Sequence, residues 1–327
     1  MATPLLFLFG NLEQLDDIVI NWSQTTIHLL NFAIGFIMFG VALKIKPQHF
    51  KDLLTTPKPI IVGTVCQYLL LPAITFALVM ILRPSVGVAL GMILVAACPG
   101  ANVSNLFSSI SRSNVALAIS LTAITVPMSL IMTPLNFWLW GTLYVLWQPD
   151  AIPWLVIDPI EMFRLVFLIL GIPVILGMVV GNKFPVFAKK SEKTVQGASL
   201  VFFVAFIAGA LGANFSFFLQ VIHLIFVIAL IHNASAFWIG YRVARWFKID
   251  RINSRTISFE TGVQNSGLGI ALFFTVFPPE LQAYGGIAII AAWWGVWQVI
   301  PGLMLSFYWR KRPVVQQEQS EIVVEKE

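Results

Sequence analysis

The chain has 327 residues, of which 58% are hydrophobic and only 11% are charged, and its mean hydropathy is +0.86. Soluble domains carry about 25% charged residues, so this composition excludes a soluble enzyme, a disordered protein and a secreted disulfide scaffold. The formal net charge of +5 does not indicate nucleic-acid binding, because the basic residues are scattered between apolar runs and form no basic face. We expect an all-α polytopic membrane protein.

Windows of about 20 mostly apolar residues, the length that a membrane-crossing helix needs, predict nine spans. Short polar segments separate the spans, and none of these segments is long enough for a soluble domain. The predicted spans are 24–43, 59–82, 86–109, 114–137, 159–181, 195–215, 217–241, 256–277 and 284–308. The chain is therefore expected to comprise an N-terminal leader at 1–23, a transmembrane domain at 24–309 and a tail at 310–327.

The distribution of lysine and arginine predicts the direction of the spans, because these residues accumulate in cytoplasmic loops. With the C-terminus in the cytoplasm, all but two of the 20 Lys and Arg residues, Arg83 and Arg164, lie on the inner side. Since the number of spans is odd, the leader is then extracellular or periplasmic and the tail is cytoplasmic. We expect an integral protein of a plasma membrane, such as the inner membrane of a bacterium.

Glu260 is the only one of the 15 acidic residues that falls inside a span and not in a loop, a tail or a span end. An ionisable group there costs about 2.5–3.5 kcal/mol even on lenient insertion scales. No Lys or Arg lies in the apolar middle of a predicted span, so the remaining partners are a metal cation and a proton. The neighbours of Glu260 are rich in oxygen and glycine: Thr261, Gln264, Asn265 and Ser266, among Gly262, Gly267 and Gly269. A carboxylate, amides and freed carbonyls together form a candidate oxygen cage for a hard cation.

The third span is also interrupted, at Pro99 and Gly100. Proline removes a backbone donor and glycine permits an unusual turn, and the polar residues Asn102, Ser104 and Asn105 follow before the apolar pattern resumes. The first four and last four spans have opposite topology, and the interrupted spans, the third and the eighth, hold equivalent positions in them. Paired interruptions in inverted repeats indicate the central site of a transporter, where half-helix N-termini favour an anion and freed carbonyls bind the coupling ion.

The residues at these positions resemble the bile acid–sodium symporter family. The matching segments follow the family's order: MFGVALKIKP at 38–47, Gln67 in QYLLLPA, CPGANVSN at 98–105, FETGVQNSG at 259–267 and FPPE at 277–280. The resemblance implies a panel domain beside a core domain, in which two discontinuous helices, here near 86–109 and 256–277, cross at mid-membrane. The family usually has ten spans as two inverted five-span repeats, and this chain is expected to lack the first of these spans.

The resemblance also implies two sodium sites beside the crossing, with sodium as the coupling ion and no other cofactor. The first site would be formed by Ser104, Asn105, Thr122 and Glu260, with a hydroxyl residue at position 118, where this chain has Ala118. The second site would be formed by the side chains of Gln67, Glu260 and Gln264 and the backbone carbonyls of Thr261 and Val263. The substrate would lie beside Asn102 and Asn265, near the half-helix N-termini, and Gln298 is expected to border the same cavity.

The leading hypothesis is a sodium-coupled symporter of an organic anion, bile acid-like or a smaller carboxylate, that works by alternating access. Two alternatives remain open: a proton-coupled or uncoupled organic-anion facilitator in which Glu260 titrates, and a membrane receptor that binds without transport. An enzyme is not expected, because the sequence has no nucleophile–base pair and no metal-ligand spacing. His232 and Asn233, in the seventh span, are expected to make structural hydrogen bonds.

Overall fold

The computed structural model describes residues 24–148, 159–191, 215–276 and 285–312, together with a few positions between 194 and 201 and residue 314. This part of the chain is all-α apart from one isolated β-bridge. The predicted leader, almost all of the predicted sixth span, the FPPE segment and most of the predicted tail lie outside the described residues. The number of nine spans therefore stays a prediction.

The helices are labelled in chain order. They are α1 Gln24–Ala42, α2 Pro47–Thr55, α3 Pro57–Leu82, α4 Val86–Ala97, α5 Val103–Ile110, α6 Val115–Trp147, α7 Pro159–Lys183, α8 Phe215–Trp246, α9 Arg251–Gly262, α10 Ser266–Val276, α11 Gly285–Trp297 and α12 Val299–Arg310. Helices α3 and α7 each contain one π-helical turn, at Cys66–Leu70 and Phe167–Gly171, followed within two residues by a proline. Proline lacks the amide that an α-helical bond needs, and such π-turns are frequent at functional sites.

Within the described part of the chain, five stretches of helix are long and apolar enough to cross a membrane. They are α3, α6, α7, residues 225–246 of α8, and α11 together with α12. The predicted spans 86–109 and 256–277 are each divided into two short helices, α4 with α5 and α9 with α10, at the interruptions identified in the sequence. The predicted span 114–137 is too short, because α6 continues without a break through Pro134 to Trp147.

The two interrupted pairs lie in the interior of the fold. Every residue of α4 from Gly87 to Ala97 is buried, and α4 packs against α11 and α6. Helix α9 is buried from Ser254 onward and packs most extensively against α8. A helix that is enclosed on all sides has no polar face toward solvent, which agrees with the continuous apolar sequence of α4. The fold thus surrounds both breaks with other helices.

Helices α1 and α7 form a close pair at one side of the interrupted helices. Gly177 and Gly181 of α7 lie against the backbone of α1 at Phe39 and Leu43, where a Cβ atom would collide with a carbonyl oxygen. Asn182 then donates a hydrogen bond to the carbonyl that follows α1 at Ile45. Small residues allow this close approach of two helices inside a membrane.

Candidate functional site

Both interruptions end a helix in extended backbone. Helix α4 ends at Ala97, and Cys98 has φ −72° and ψ 157°. Helix α9 ends at Gly262, and Val263 has φ −123° and ψ 107°. Each extended segment is short and leads directly into the second half-helix, α5 or α10. The sequence interruptions are therefore true breaks in the helices and not simple kinks.

The two extended segments meet and pair as antiparallel strands. The Ala101 amide donates to the Val263 carbonyl at 2.9 Å, and the Asn265 amide donates to the Pro99 carbonyl at 2.8 Å. Gly100 lies opposite Gln264 in the resulting bridge. A Cβ atom on Gly100 would lie only 3.1 Å from the Glu260 carbonyl oxygen, so glycine is needed for the close approach of the two segments.

The last carbonyls of α4 and α9 have no helical amide to bond to, and side chains supply the missing donors. The Ala97 carbonyl accepts from Thr133 at 2.8 Å, and the Cys98 carbonyl accepts from Gln67 at 2.9 Å. The Gly262 carbonyl accepts from Asn233 at 2.7 Å. These donors come from α6, α3 and α8, so three neighbouring helices stabilise the breaks. Sequence reasoning missed Thr133, whose only signal is a hydroxyl within an apolar span.

Glu260 lies next to the bridge and is 4% exposed. The Ser104 hydroxyl donates to Oε1 of Glu260, and the Thr122 hydroxyl donates to Oε2 at 3.3 Å. Within the described residues these two neutral hydroxyls are its only hydrogen-bond partners, and it has no ion pair with Lys or Arg. A buried carboxylate without a counter-charge is strongly unfavourable unless a cation or a proton neutralises it.

The residues predicted for the first sodium site come together around this carboxylate. Asn105 follows Ser104 on α5, and its Nδ2 lies 3.5 Å from the Thr122 hydroxyl. Asn105 Oδ1 is buried and accepts no hydrogen bond from any residue that the structure describes. Ala118, the position where the resemblance implies a hydroxyl, is fully buried one turn before Thr122 on α6. Helices α5, α6 and α9 thus bring four oxygen-bearing side chains to one place and leave one oxygen without a donor, which fits a hard cation.

The residues predicted for the second sodium site form an amide network beside the bridge. Gln67 Nε2 donates to Gln264 Oε1 at 2.6 Å, and Gln264 Nε2 donates to the Thr261 carbonyl at 2.7 Å. The Val263 carbonyl accepts from Ala101. Gln67 lies within the π-turn of α3. Hydrogen bonds therefore connect Gln67, Thr261 and Gln264 to one another. The carboxylate of Glu260 instead bonds to residues of the first predicted sodium site.

The residues predicted for the substrate lie at the start of the second half-helices. Asn102 immediately precedes α5, is exposed and makes no side-chain capping bond. Asn265 precedes α10, where its Oδ1 accepts from the Leu268 amide at 3.2 Å and its Nδ2 lies 3.8 Å from Met38 Sδ of α1. Helix N-termini carry partial positive charge and attract anions.

Three further buried polar residues bond within the protein. Gln298 is 4% exposed, and both groups of its amide bond to the main chain of Gln264. His232 Nε2 lies 2.6 Å from the Thr75 hydroxyl, and Asn233 bonds to the break after α9, as described above. The structural hydrogen bonds predicted for His232 and Asn233 are present. The structure brings Gln298 to the crossing, where its amide already has partners.

Comparison with known proteins identifies the family of the chain. A model of the Sodium Bile acid symporter family matches residues 31–221. The chain is 31% identical over 279 residues to the sodium-dependent transporter YocS of Bacillus subtilis, covering 85% of this chain and 82% of that protein. It is 30% identical over 295 residues to the probable chloroplastic sodium/metabolite cotransporter BASS2 of Oryza sativa subsp. japonica. This match covers 90% of this chain and 66% of that protein.

It is also 29% identical over 272 residues to the sodium/bile acid cotransporter 5 of Rattus norvegicus, covering 82% of this chain and 60% of that protein. These relatives are described as transporters, and the long apolar helices agree with a protein embedded in a membrane. The resemblance found in the sequence is confirmed: the chain is an integral membrane protein that belongs to the sodium bile acid symporter family.

Proposed function

We propose that this protein is a sodium-coupled secondary symporter of an organic anion. The observation that carries the proposal is the buried carboxylate of Glu260, which has only hydroxyl partners among the described residues and lies beside two crossing helix breaks. A carboxylate in this position needs a cation or a proton to neutralise it. The relatives are named as sodium-dependent transporters or sodium cotransporters, which favours a sodium ion.

Two cation sites are proposed beside the bridge. The first comprises Ser104, Asn105, Thr122 and Glu260, and the unpaired Asn105 Oδ1 supports it because this oxygen can join the ligands. The second comprises Gln67, Glu260 and Gln264 with the carbonyls of Thr261 and Val263. In the second site, Gln67 and Gln264 bond to each other, and rotation of these amides would turn their oxygens toward a cation.

The substrate is proposed to be an organic anion, bile acid-like or a smaller carboxylate, held beside Asn102 and Asn265. Two half-helix N-termini favour a negative group there, and the exposed Asn102 amide has free donors. The names of the relatives include both bile acids and metabolites, which leaves the size of the anion to experiment.

Alternating access is proposed to occur by movement of the core, which contains the crossing, against a panel that includes α1 and α7. The close glycine contact between α1 and α7 supports their movement as one unit. The Asn265–Met38 contact supports a substrate site at the boundary between core and panel. Nine spans, inverted repeats, an outside N-terminus and a cytoplasmic tail complete the proposal.

The test is uptake by purified protein in liposomes, with a panel of bile acids and small carboxylates and with sodium replaced by choline. We expect uptake of at least one anion to require sodium and Glu260→Gln to abolish the sodium effect. Glu161→Gln, which alters an exposed carboxylate at the start of α7, is the matched control and should behave as the parent. Uptake that follows pH and ignores sodium would instead identify a facilitator, and binding without counterflow would identify a receptor.

A further inference from the structure

The extended segment 263–265 is hydrogen-bonded along both of its edges. In an extended chain, the N–H and C=O of one residue point to one side, and the nearest groups of its neighbours point to the other side. On one side, Val263 and Asn265 bond to the segment that follows α4. On the opposite side, the Gln264 amide donates to Gln298 Oε1 at 2.8 Å, and Gln298 Nε2 donates to the Gln264 carbonyl at 3.0 Å.

The amide of Gln298 therefore occupies the place of a third strand. A primary amide presents a donor and an acceptor side by side, as a peptide group does. Both residues are buried: Gln264 is 0% exposed and Gln298 is 4% exposed. Burial shields these groups from bulk water, so removal of the Gln298 amide would leave the main-chain N–H of Gln264 without a partner. The Gln264 carbonyl would keep the Ser266 amide, which donates to it at 2.9 Å.

Helix α12, which starts directly after Gln298, is held to the half-helices at two further points. The Ser306 hydroxyl donates to the Gly302 carbonyl of its own helix at 2.7 Å and also lies 3.2 Å from the Phe107 carbonyl of α5. The guanidinium of Arg255, on α9, donates to the Trp309 carbonyl at 3.3 Å and to the Arg312 carbonyl at 2.8 Å. Helix α12 thus contacts one half-helix of each interrupted pair, and these contacts fix the position of Gln298 relative to the crossing.

The residue that Gln298 holds is a proposed sodium ligand. The side chain of Gln264 bonds to Gln67 and to the Thr261 carbonyl, so its direction depends on the main chain from which it projects. We infer that Gln298 is a positioning residue: by bonding to both main-chain groups of Gln264, it orients the oxygen ligands of the second sodium site without contacting the ion. This inference rests on the proposed function.

The test is a titration of the purified protein with sodium alone, at constant ionic strength with choline, followed by tryptophan fluorescence and thermal stability. In Gln298→Leu we expect the half-saturating sodium concentration to rise about 10- to 100-fold, the usual effect of losing a group that orients a metal ligand. A residue that contacts only the substrate would leave this titration unchanged. Asn136→Leu is the matched control, because the buried Asn136 accepts from Trp140 on its own helix and does not bond to the crossing.

A second variant keeps the test decisive if Gln298→Leu does not fold. Gln298→Met retains the length and approximate volume of the side chain but removes the amide that bonds to the Gln264 main chain. We expect weaker sodium binding than in the parent. Parental sodium binding in either folded variant would overturn the inference. If the parent itself responds equally to sodium and choline, the proposed function fails instead.

Discussion

The Ser104 hydroxyl donates a hydrogen bond to the carboxylate of Glu260, although the two residues are 156 positions apart in the sequence. Ser104 lies in the second half of one interrupted helix, and Glu260 lies in the first half of the other. The bond therefore joins the two breaks through side chains, next to the backbone bonds that join them directly. A cation that binds Glu260 would contact both interrupted helices at once, which is how ion binding can order a crossing.

Ser104→Ala should weaken sodium binding while the protein remains folded. The change removes one proposed ligand and one of the two donors to Glu260. We expect the half-saturating sodium concentration for uptake to rise about tenfold or more. Ser109→Ala, on the same helix but exposed, is the control and should leave the half-saturating sodium concentration unchanged. Equal sodium dependence in the two variants would remove Ser104 from the site.

Ala118→Ser should strengthen the first site. Ala118 is fully buried, one turn before the Thr122 hydroxyl, and the serine would supply the oxygen that the family resemblance implies at this position. We expect a lower half-saturating sodium concentration and more charge moved per substrate, measured as current during uptake into liposomes. Two sodium ions with one monovalent anion carry a net charge of +1, for which the membrane potential contributes about 2.3 kcal/mol per 100 mV.

Ala123→Ser is the control for this change. Ala123 is buried on the same helix but belongs to the apolar core, and five residues turn it to a different face of α6. A hydroxyl there has no proposed ion to bind. If both serine variants change sodium dependence or current equally, the effect of Ala118→Ser is not specific to the first site.

The breaks could be predicted because their chemistry is local. Pro99 with Gly100 cannot continue a regular helix, and Glu260 among glycines cannot lie in an apolar span without a partner. The bond between Gln298 and Gln264 could not be predicted, since it depends on how α12 packs and leaves no periodic signal in the sequence. The apolar windows also placed the end of the fourth span too early, at residue 137, whereas helix α6 continues to Trp147.

Asn102→Ala should weaken substrate binding and leave sodium binding intact. Asn102 is exposed at the start of α5 and has no capping bond to lose, so a large loss of stability is not expected. A hydrogen bond to a charged group contributes about 1.5–3 kcal/mol, or roughly a tenfold to hundredfold change in affinity. The measurement is the KM for the transported anion at saturating sodium, beside a titration with sodium alone. Ser109→Ala, exposed on the same helix, is the control; an unchanged KM in Asn102→Ala would contradict a contact with the substrate.

Thr133→Val should destabilise the fold without removing a proposed ligand. Thr133 is 0% exposed and donates to the Ala97 carbonyl, the last carbonyl of α4. Valine keeps the shape of the side chain but leaves this buried acceptor without a donor, which costs about 1–3 kcal/mol. We expect a lower unfolding temperature in detergent, both with and without sodium, because the lost bond belongs to the break itself. Thr142→Val, at a half-buried position of the same helix, is the control and should change the unfolding temperature little. Equal unfolding temperatures for Thr133→Val and the parent would mean that another donor, or a water molecule, satisfies the end of α4.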